Sequence, residues 1–260
     1  LGNDVAICAG DSTLLDAGSG HTNYLWNTGE TTQTIYADTA GTYSVTVGNG
    51  TSVTNNNSLS FDGQDAAVTV TDGLGDTYPY FSFITRAKLE SNNLNQTLIH
   101  FMEASSINNY SGIIDLTINA STQPSQLEIN LNNNAGSVYT NSFQLNTWID
   151  IAGVFDGPNQ LLYLYINGQL KSTIPTSTNE IILNNQNHRF GNASIGSGQY
   201  GNYFDGNIDN ITIWNTALTQ SEIQSFIYSS PTGNEAGLVG YWNFNEGSGT
   251  TVTDLSGNGN

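Results

Sequence analysis

The feature that most limits what this chain can fold into is an alternation of apolar and polar residues with a period of two. Thr42-Tyr43-Ser44-Val45-Thr46-Val47, Ala67-Val68-Thr69-Val70, Phe81-Ser82-Phe83-Ile84 and Leu161-Leu162-Tyr163-Leu164-Tyr165-Ile166 carry it, as does the shorter Ile35-Tyr36-Ala37. Successive side chains of a strand point to opposite faces, so this period marks strands with one face buried. The turn dipeptides Asp156-Gly157, Asn167-Gly168 and Asp205-Gly206 fall between such runs. A helical period stands out once. Thr219-Gln220-Ser221-Glu222 has capping-box spacing, and Ile223, Phe226 and Ile227 then form one apolar face. A short helix is predicted over residues 219–228. Many short strands with one helix predict an all-β sandwich.

A composition shift divides the chain. Residues 48–57 have almost no apolar content and read as a linker. The reading is of residues 1–50 as a small β-sandwich built around Trp26, residues 51–57 as linker, and residues 58–236 as a larger antiparallel two-sheet sandwich bearing the short helix. Residues 237–260 read as a C-terminal strand and the start of a following repeat.

Charge narrows the possible partners. The chain has 22 Asp and Glu against 4 Lys and Arg, a formal net charge of −18. So few cations cannot neutralise a phosphate backbone, which excludes nucleic acid as a partner. Anionic membranes and polyanionic glycans are disfavoured for the same reason. No apolar run reaches the ~18 residues of a membrane span. Much of the polarity comes instead from uncharged side chains, with 35 Asn in the chain. Cys8 is the single cysteine, so no intrachain disulfide forms.

The larger unit resembles the laminin-G-like, concanavalin A-like jelly-roll domains of secreted bacterial proteins. Ser58-Leu59-Ser60-Phe61-Asp62-Gly63 is similar to the family's opening strand. Residues 148–157, followed by Leu164-Tyr165-Ile166-Asn167-Gly168, are similar to its central strands. Residues 204–215, with the helix after them, are similar to its closing strand. The first unit resembles small immunoglobulin-like or PKD-like modules of Bacteroidetes surface proteins, through Cys8-Ala9-Gly10-Asp11-Ser12, Tyr24-Leu25-Trp26-Asn27-Thr28-Gly29 and Gly41-Thr42-Tyr43-Ser44-Val45. Those modules often carry a second cysteine near their end, and none stands at Gly48-Asn49-Gly50. Residues 241–250 resemble the segment that leads into a further repeat. These likenesses imply an extracellular or cell-surface protein.

No catalytic pattern is visible. Glycosidases of this resemblance place acid and nucleophile on one strand as Glu-x-Asp-x-x-Glu, because a retaining mechanism needs two carboxyls ~5 Å apart. None of the eight glutamates has a strand-spaced acidic partner. His21, His100 and His188 lack metal-type spacing. The expectation is that the chain is not an enzyme.

Two binding expectations remain. In the resembling domains, edge loops beside the opening and closing strands hold one calcium. Carried onto this chain, the ligands are Asp62, Gln64, Asp65 and Asp209, with a structural role for the ion, against a reading in which Asp62 and Asp209 only cap turns or face solvent. Calcium takes oxygen ligands of these kinds. The second expectation is a neutral glycan held by loop aromatics beside amides: Tyr110 in Asn108-Asn109-Tyr110-Ser111-Gly112, and Tyr200 and Tyr203 in a Gly/Asn-rich loop. The alternative is that these tyrosines cap the sandwich edge. Tyr163 and Tyr165 share a strand face and are expected to line an outward groove. The leading reading is a non-catalytic calcium-binding adhesion or carbohydrate-binding unit of a large secreted or surface protein. A structural spacer or self-assembling stalk, in which Leu238–Phe244 completes a neighbouring sandwich, and an accessory domain of a secreted glycosidase or protease are the alternatives. Neighbouring domains of the same or an adjacent chain are partners in those readings.

Overall fold

The computed structural model describes residues 5–6, 10–19, 23–30, 32–48, 57–71, 73–92, 94–102, 112–121, 125–131, 136–141, 143–183, 188–196 and 199–260. Its elements in chain order begin with β1 (Thr13–Asp16), β2 (Asn23–Trp26), β3 (Thr34–Ala37) and β4 (Val45–Gly48). β5 (Leu59–Asp62), β6 (Val68–Val70), β7 (Thr77–Tyr78), β8 (Tyr80–Leu89) and β9 (Gln96–Met102) follow. Next come β10 (Gly112–Asn119), β11 (Gln126–Leu131), β12 (Gly136–Thr140), β13 (Trp148–Asp156), β14 (Leu161–Ile166) and β15 (Gln169–Pro175). The chain continues through β16 (Ile181–Ile182), β17 (His188–Phe190), β18 (Ala193–Gly196), β19 (Gln199–Gly201), β20 (Asp205–Trp214), α1 (Gln220–Tyr228) and β21 (Leu238–Trp242).

The main body is a sandwich of two antiparallel sheets. One has six strands in the order β12-β11-β10-β9-β17-β6. The other has seven, in the order β15-β14-β13-β8-β20-β21, with β5 paired to β20 as well. Their facing sides supply one apolar core, including Phe81, Phe83, Leu116, Ile129, Ile151 and Trp242. The outer sides differ, and the sequence shows why. On β11 every second residue is buried: Leu127, Ile129 and Leu131 are inside, while Gln126, Glu128 and Asn130 face out. Strict alternation leaves one face to water. On β13 the apolar run is nearly continuous, because Ala152 and Val154 are buried on the far side too. A second cluster covers that side: Ile84, Val154, Tyr165 and Trp214 pack with Ile223. Trp214 stacks on Phe226 of α1 at 4.4 Å between centroids. The seven-stranded sheet is therefore covered on both faces, and the six-stranded sheet presents a polar outer face.

The predicted helix forms at α1 with the predicted cap. Thr219 Oγ1 accepts from the Glu222 N–H, and the Thr219 N–H donates to Glu222 Oε2 at 2.8 Å. Tyr165, expected in an open groove, is instead buried in the cluster that meets α1. A strand is an amphipathic element only where one sheet face stays open, and here α1 closes it.

In the first fifty residues β1 pairs with β3 and β2 with β4, giving two two-stranded sheets. Trp26 is fully buried and donates its indole N–H to the Thr32 carbonyl at 2.8 Å. Cys8 and the linker at 51–56 lie outside the described residues.

Leu238–Trp242 lies within this sandwich rather than being offered to a neighbouring one, because it pairs antiparallel with β20 from Ile211 to Trp214. The residues after it fold back along its free edge. Val239 O accepts from Ser256 Oγ, Asn258 Nδ2 and Asn260 Nδ2. Tyr241 O accepts from the Leu255 N–H, and the Tyr241 N–H donates to Asp254 Oδ1. Asp254 Oδ2 in turn accepts from Ser256 Oγ, the Gly259 and Asn260 N–H groups and Asn260 Nδ2.

Candidate glycan-binding face

Register across the six-stranded sheet brings distant residues into rows. Thr69 lies opposite Arg189, Arg189 opposite His100, and His100 opposite Asp115. Asp115 lies opposite Asn130, and Asn130 opposite Ser137. A polar row thus crosses all six strands. A second row runs Thr97, Thr117, Glu128, Tyr139, with a register shift on β9 and β10 between Leu116 and Thr117 adjusting its start. Outward side chains bond along and between these rows. Ser137 Oγ donates to Asn130 Oδ1 at 2.7 Å, Asn130 Nδ2 to Thr117 Oγ1 at 3.3 Å, and Asn119 Nδ2 to Glu128 Oε2 at 3.2 Å. His100 is almost fully buried and its Nδ1 lies 2.6 Å from Asp115 Oδ1.

One depression opens on this face, and a second lies beside it among the turns at the strand ends. One, of ≈ 320 Å³, is lined by Asn95, Thr97, Thr117, Asn119, Glu128, Asn130, Ser137 and Asn202, among others. The other, of ≈ 460 Å³, is lined by Gly63, Leu94, Asn95, Ala120, Ser121, Asn202 and Tyr203. They share Asn95 and Asn202 and so adjoin, and together they make up the groove considered below. Each lies within the usual ~300–1,000 Å³ of small-molecule sites. The lining is mostly amide and hydroxyl, groups that both donate and accept. Leu94, exposed, and Tyr203 add apolar surface at one end.

The predicted tyrosines separate. Tyr203 lines the groove. Tyr200 is exposed on β19, opposite Ser194 of β18, with the Arg189 guanidinium 3.9 Å from its ring centroid. That guanidinium is also held by Thr69 Oγ1 at 2.9 Å and by Asn192. Burial draws the Arg189 pKa below its ordinary value, and Tyr200 and Tyr203 oppose the shift. Tyr110 lies outside the described residues. Sequence reasoning passed over Thr117, Asn119, Glu128 and Asn130. The signal was present as polar residues at every second position of two strands.

Of the four residues expected to hold calcium, Asp62, Gln64 and Asp65 share one turn, and Asp209 stands apart from it. Asp62 Oδ1 accepts from the Gln64 and Asp65 N–H groups at 3.0 and 3.4 Å, which closes a local turn. The Gln64 N–H, outweighing burial, holds the Asp62 carboxyl below its usual range. Asp205 of β20 lies opposite Asp62. Asp209 lies four residues further along that strand, about 13 Å at strand rise, and opposite Arg86 of β8. It is buried and accepts from Asn210 Nδ2 at 3.1 Å. Among the described residues, no three His, Cys, Asp or Glu side chains converge as metal ligands. Asp209→Ala is expected to cost about 1–2 kcal/mol through lost buried polar contacts. Thermal unfolding in excess calcium and in excess chelator tests this: a loss through polar contacts is equal in both, and a loss confined to the calcium sample assigns Asp209 to a bound ion.

The architecture and the groove define a jelly-roll sandwich of lectin type, open on one polar sheet face. The chain belongs to the concanavalin A-like lectin/glucanase superfamily, matching its Laminin_G_3 model over residues 61–224. Among solved structures, it is similar to a Bacteroides ovatus protein described as carbohydrate-binding, with a TM-score of 0.63, 17% identity, and coverage of 77% of this chain and 56% of that one. The chain thus spans little more than half of that protein. It is also similar to the heptameric SAP-like pentraxin of Limulus polyphemus, with a TM-score of 0.58, 14% identity and coverage of 75% and 89%. The NanB sialidase of Streptococcus pneumoniae gives 0.51 and 15%, covering 65% and 27%. At these identities the likeness is one of fold. No curated protein matches by sequence. No helix among the described residues is long and apolar enough to cross a membrane.

Proposed function

We propose that the protein is a non-catalytic carbohydrate-binding unit of a secreted or surface protein, and that glycans lie in the groove on the outer face of the six-stranded sheet. The observation that carries this reading is the lining itself. Amides and hydroxyls on four neighbouring strands converge on one groove with a tyrosine at its end. Sugars offer hydroxyls to such groups and an apolar face to such a ring. The Bacteroides ovatus neighbour, described as carbohydrate-binding, supports the reading.

The test is binding of the labelled protein to a glycan array, followed by titration of the best glycan. Asn119→Ala and Tyr203→Ala are each expected to weaken binding by roughly tenfold, or ~1.4 kcal/mol, with unchanged circular dichroism. Unchanged affinity in both variants removes the groove as the site.

A further inference from the structure

We infer that the groove takes an uncharged oligosaccharide laid across the strands, and that Glu128 is the side chain that turns acidic sugars away. The inference rests on the carbohydrate-binding reading above and specifies its ligand. Three observations carry it: the direction of the groove, its charge and its open end.

The groove runs from Ser137 on β12 through Asn130 on β11 and Thr117 on β10 to Thr97 on β9. It then continues past Asn95 and Asn202 toward Gly63. Three strand spacings of about 4.8 Å give about 14 Å before that continuation, a span that about three linked hexoses cover. A single sugar would fill only part of it. β12 is the edge strand of its sheet, so the groove runs out at the sheet margin. A glycan chain can pass over that margin, and a binder of internal chain segments needs such an exit.

Charge decides the class. Among the described lining residues, Glu128 alone carries a formal charge. Its carboxylate has about four acceptor positions, and Asn119 takes one. The remainder suit sugar hydroxyls, which donate. A sugar carboxylate has no proton to give and meets like charge at close range. Among the described lining residues there is no compensating cation. Arg189, the one cation in the polar rows described above, is engaged by Thr69, Asn192 and the Tyr200 ring. Lys88 pairs with Glu90 at 2.8 Å on the other sheet. The net charge of −18 adds long-range repulsion.

The experiment is calorimetric titration with gluco-, xylo- and manno-oligosaccharides of one to six units, and with oligogalacturonates of matched length. Affinity for at least one neutral series should rise about tenfold or more between one and three units and level off beyond four. Oligogalacturonates should bind at least about tenfold more weakly than that series, and Glu128→Gln should shrink that gap by binding the acidic series better. Affinity that ignores chain length overturns the extended placement. Acidic oligomers binding as well as neutral ones, or a gap unmoved by Glu128→Gln, overturns the role of Glu128. In those cases carbohydrate binding itself stands. Absence of binding across the whole panel overturns both the inference and the functional reading beneath it.

Discussion

Asp254→Asn is expected to lower the unfolding midpoint by roughly 5–10 °C at neutral pH and to make the protein self-associate. One carboxylate gathers the tail that covers β21: it accepts from the Tyr241, Ser256, Gly259 and Asn260 N–H groups, from Ser256 Oγ and from Asn260 Nδ2. An amide of the same shape sets an NH₂ donor against some of those donors. Hydrogen bonds to a charged group contribute about 1.5–3 kcal/mol each but are not additive, so a total of about 2–4 kcal/mol is reasonable. At roughly 2–4 °C per kcal/mol, the midpoint follows. With the tail released, the free N–H and C=O groups of a five-residue strand are exposed, a template for pairing with another copy. Scanning calorimetry and sedimentation velocity read the two effects. A variant with the parent's midpoint and the parent's sedimentation coefficient contradicts both.

The pH dependence gives a second reading of the same group. Burial raises the Asp254 pKa, but the N–H donors of Ser256, Tyr241 and Asn260 outweigh it and hold the carboxyl below the usual aspartate range. A folded pKa below the unfolded one contributes stability that is complete above about pH 4 and is lost as pH falls through the folded value. The parent should therefore lose stability on acidification below about pH 4, and Asp254→Asn should lose less over the same interval.

Gly157→Ala is the other large effect, about 3 kcal/mol or more of destabilisation. A Cβ at this position would sit 2.0 Å from the Asn179 carbonyl oxygen and 2.6 Å from that of Pro79. Both are backbone atoms, and the Gly157 N–H is hydrogen-bonded to the Pro79 oxygen at 2.9 Å. The glycine is needed for space, since its φ is not in the left-handed region. Where space exists, the sign reverses. Gly41 has no neighbour within 4 Å of a built Cβ, and Gly41→Ala should be neutral or stabilising by a few tenths to ~1 kcal/mol through the unfolded chain. Equal urea midpoints for Gly157→Ala and the parent would falsify the close-approach argument.

What the sequence disclosed followed the range of the interactions involved. The period of β11 and the cap of α1 are set by neighbours within a few residues, so both are legible. Asp156-Gly157 was legible as a turn, though its physical reason, two approaching carbonyls, is a contact between distant segments. The groove was legible only in part. Tyr200 and Tyr203 stood out as aromatics in a Gly/Asn-rich loop, and the structure sets Tyr203 in the groove and Tyr200 on Arg189. Glu128 has no acidic partner near it in sequence, and its neighbours Thr117 and Tyr139 reach it only through strand register. Asp62 and Asp209 were joined by resemblance, and the length of β20 between them sets them apart.

β5 and β21 lie end to end along one flank of β20, with Leu59 opposite Ile208 and Trp242 opposite Ile211. The chain therefore enters the sandwich and leaves its last strand at one spot, where Gly247 lies beside the Asn57 amide. A pull applied between residues 57 and 243 acts across that short gap, at the left-handed Asn210, and not through the two sheets. Under tension between these two points the sandwich hangs beside the line of force as a pendant, so the groove on its six-stranded sheet keeps its shape.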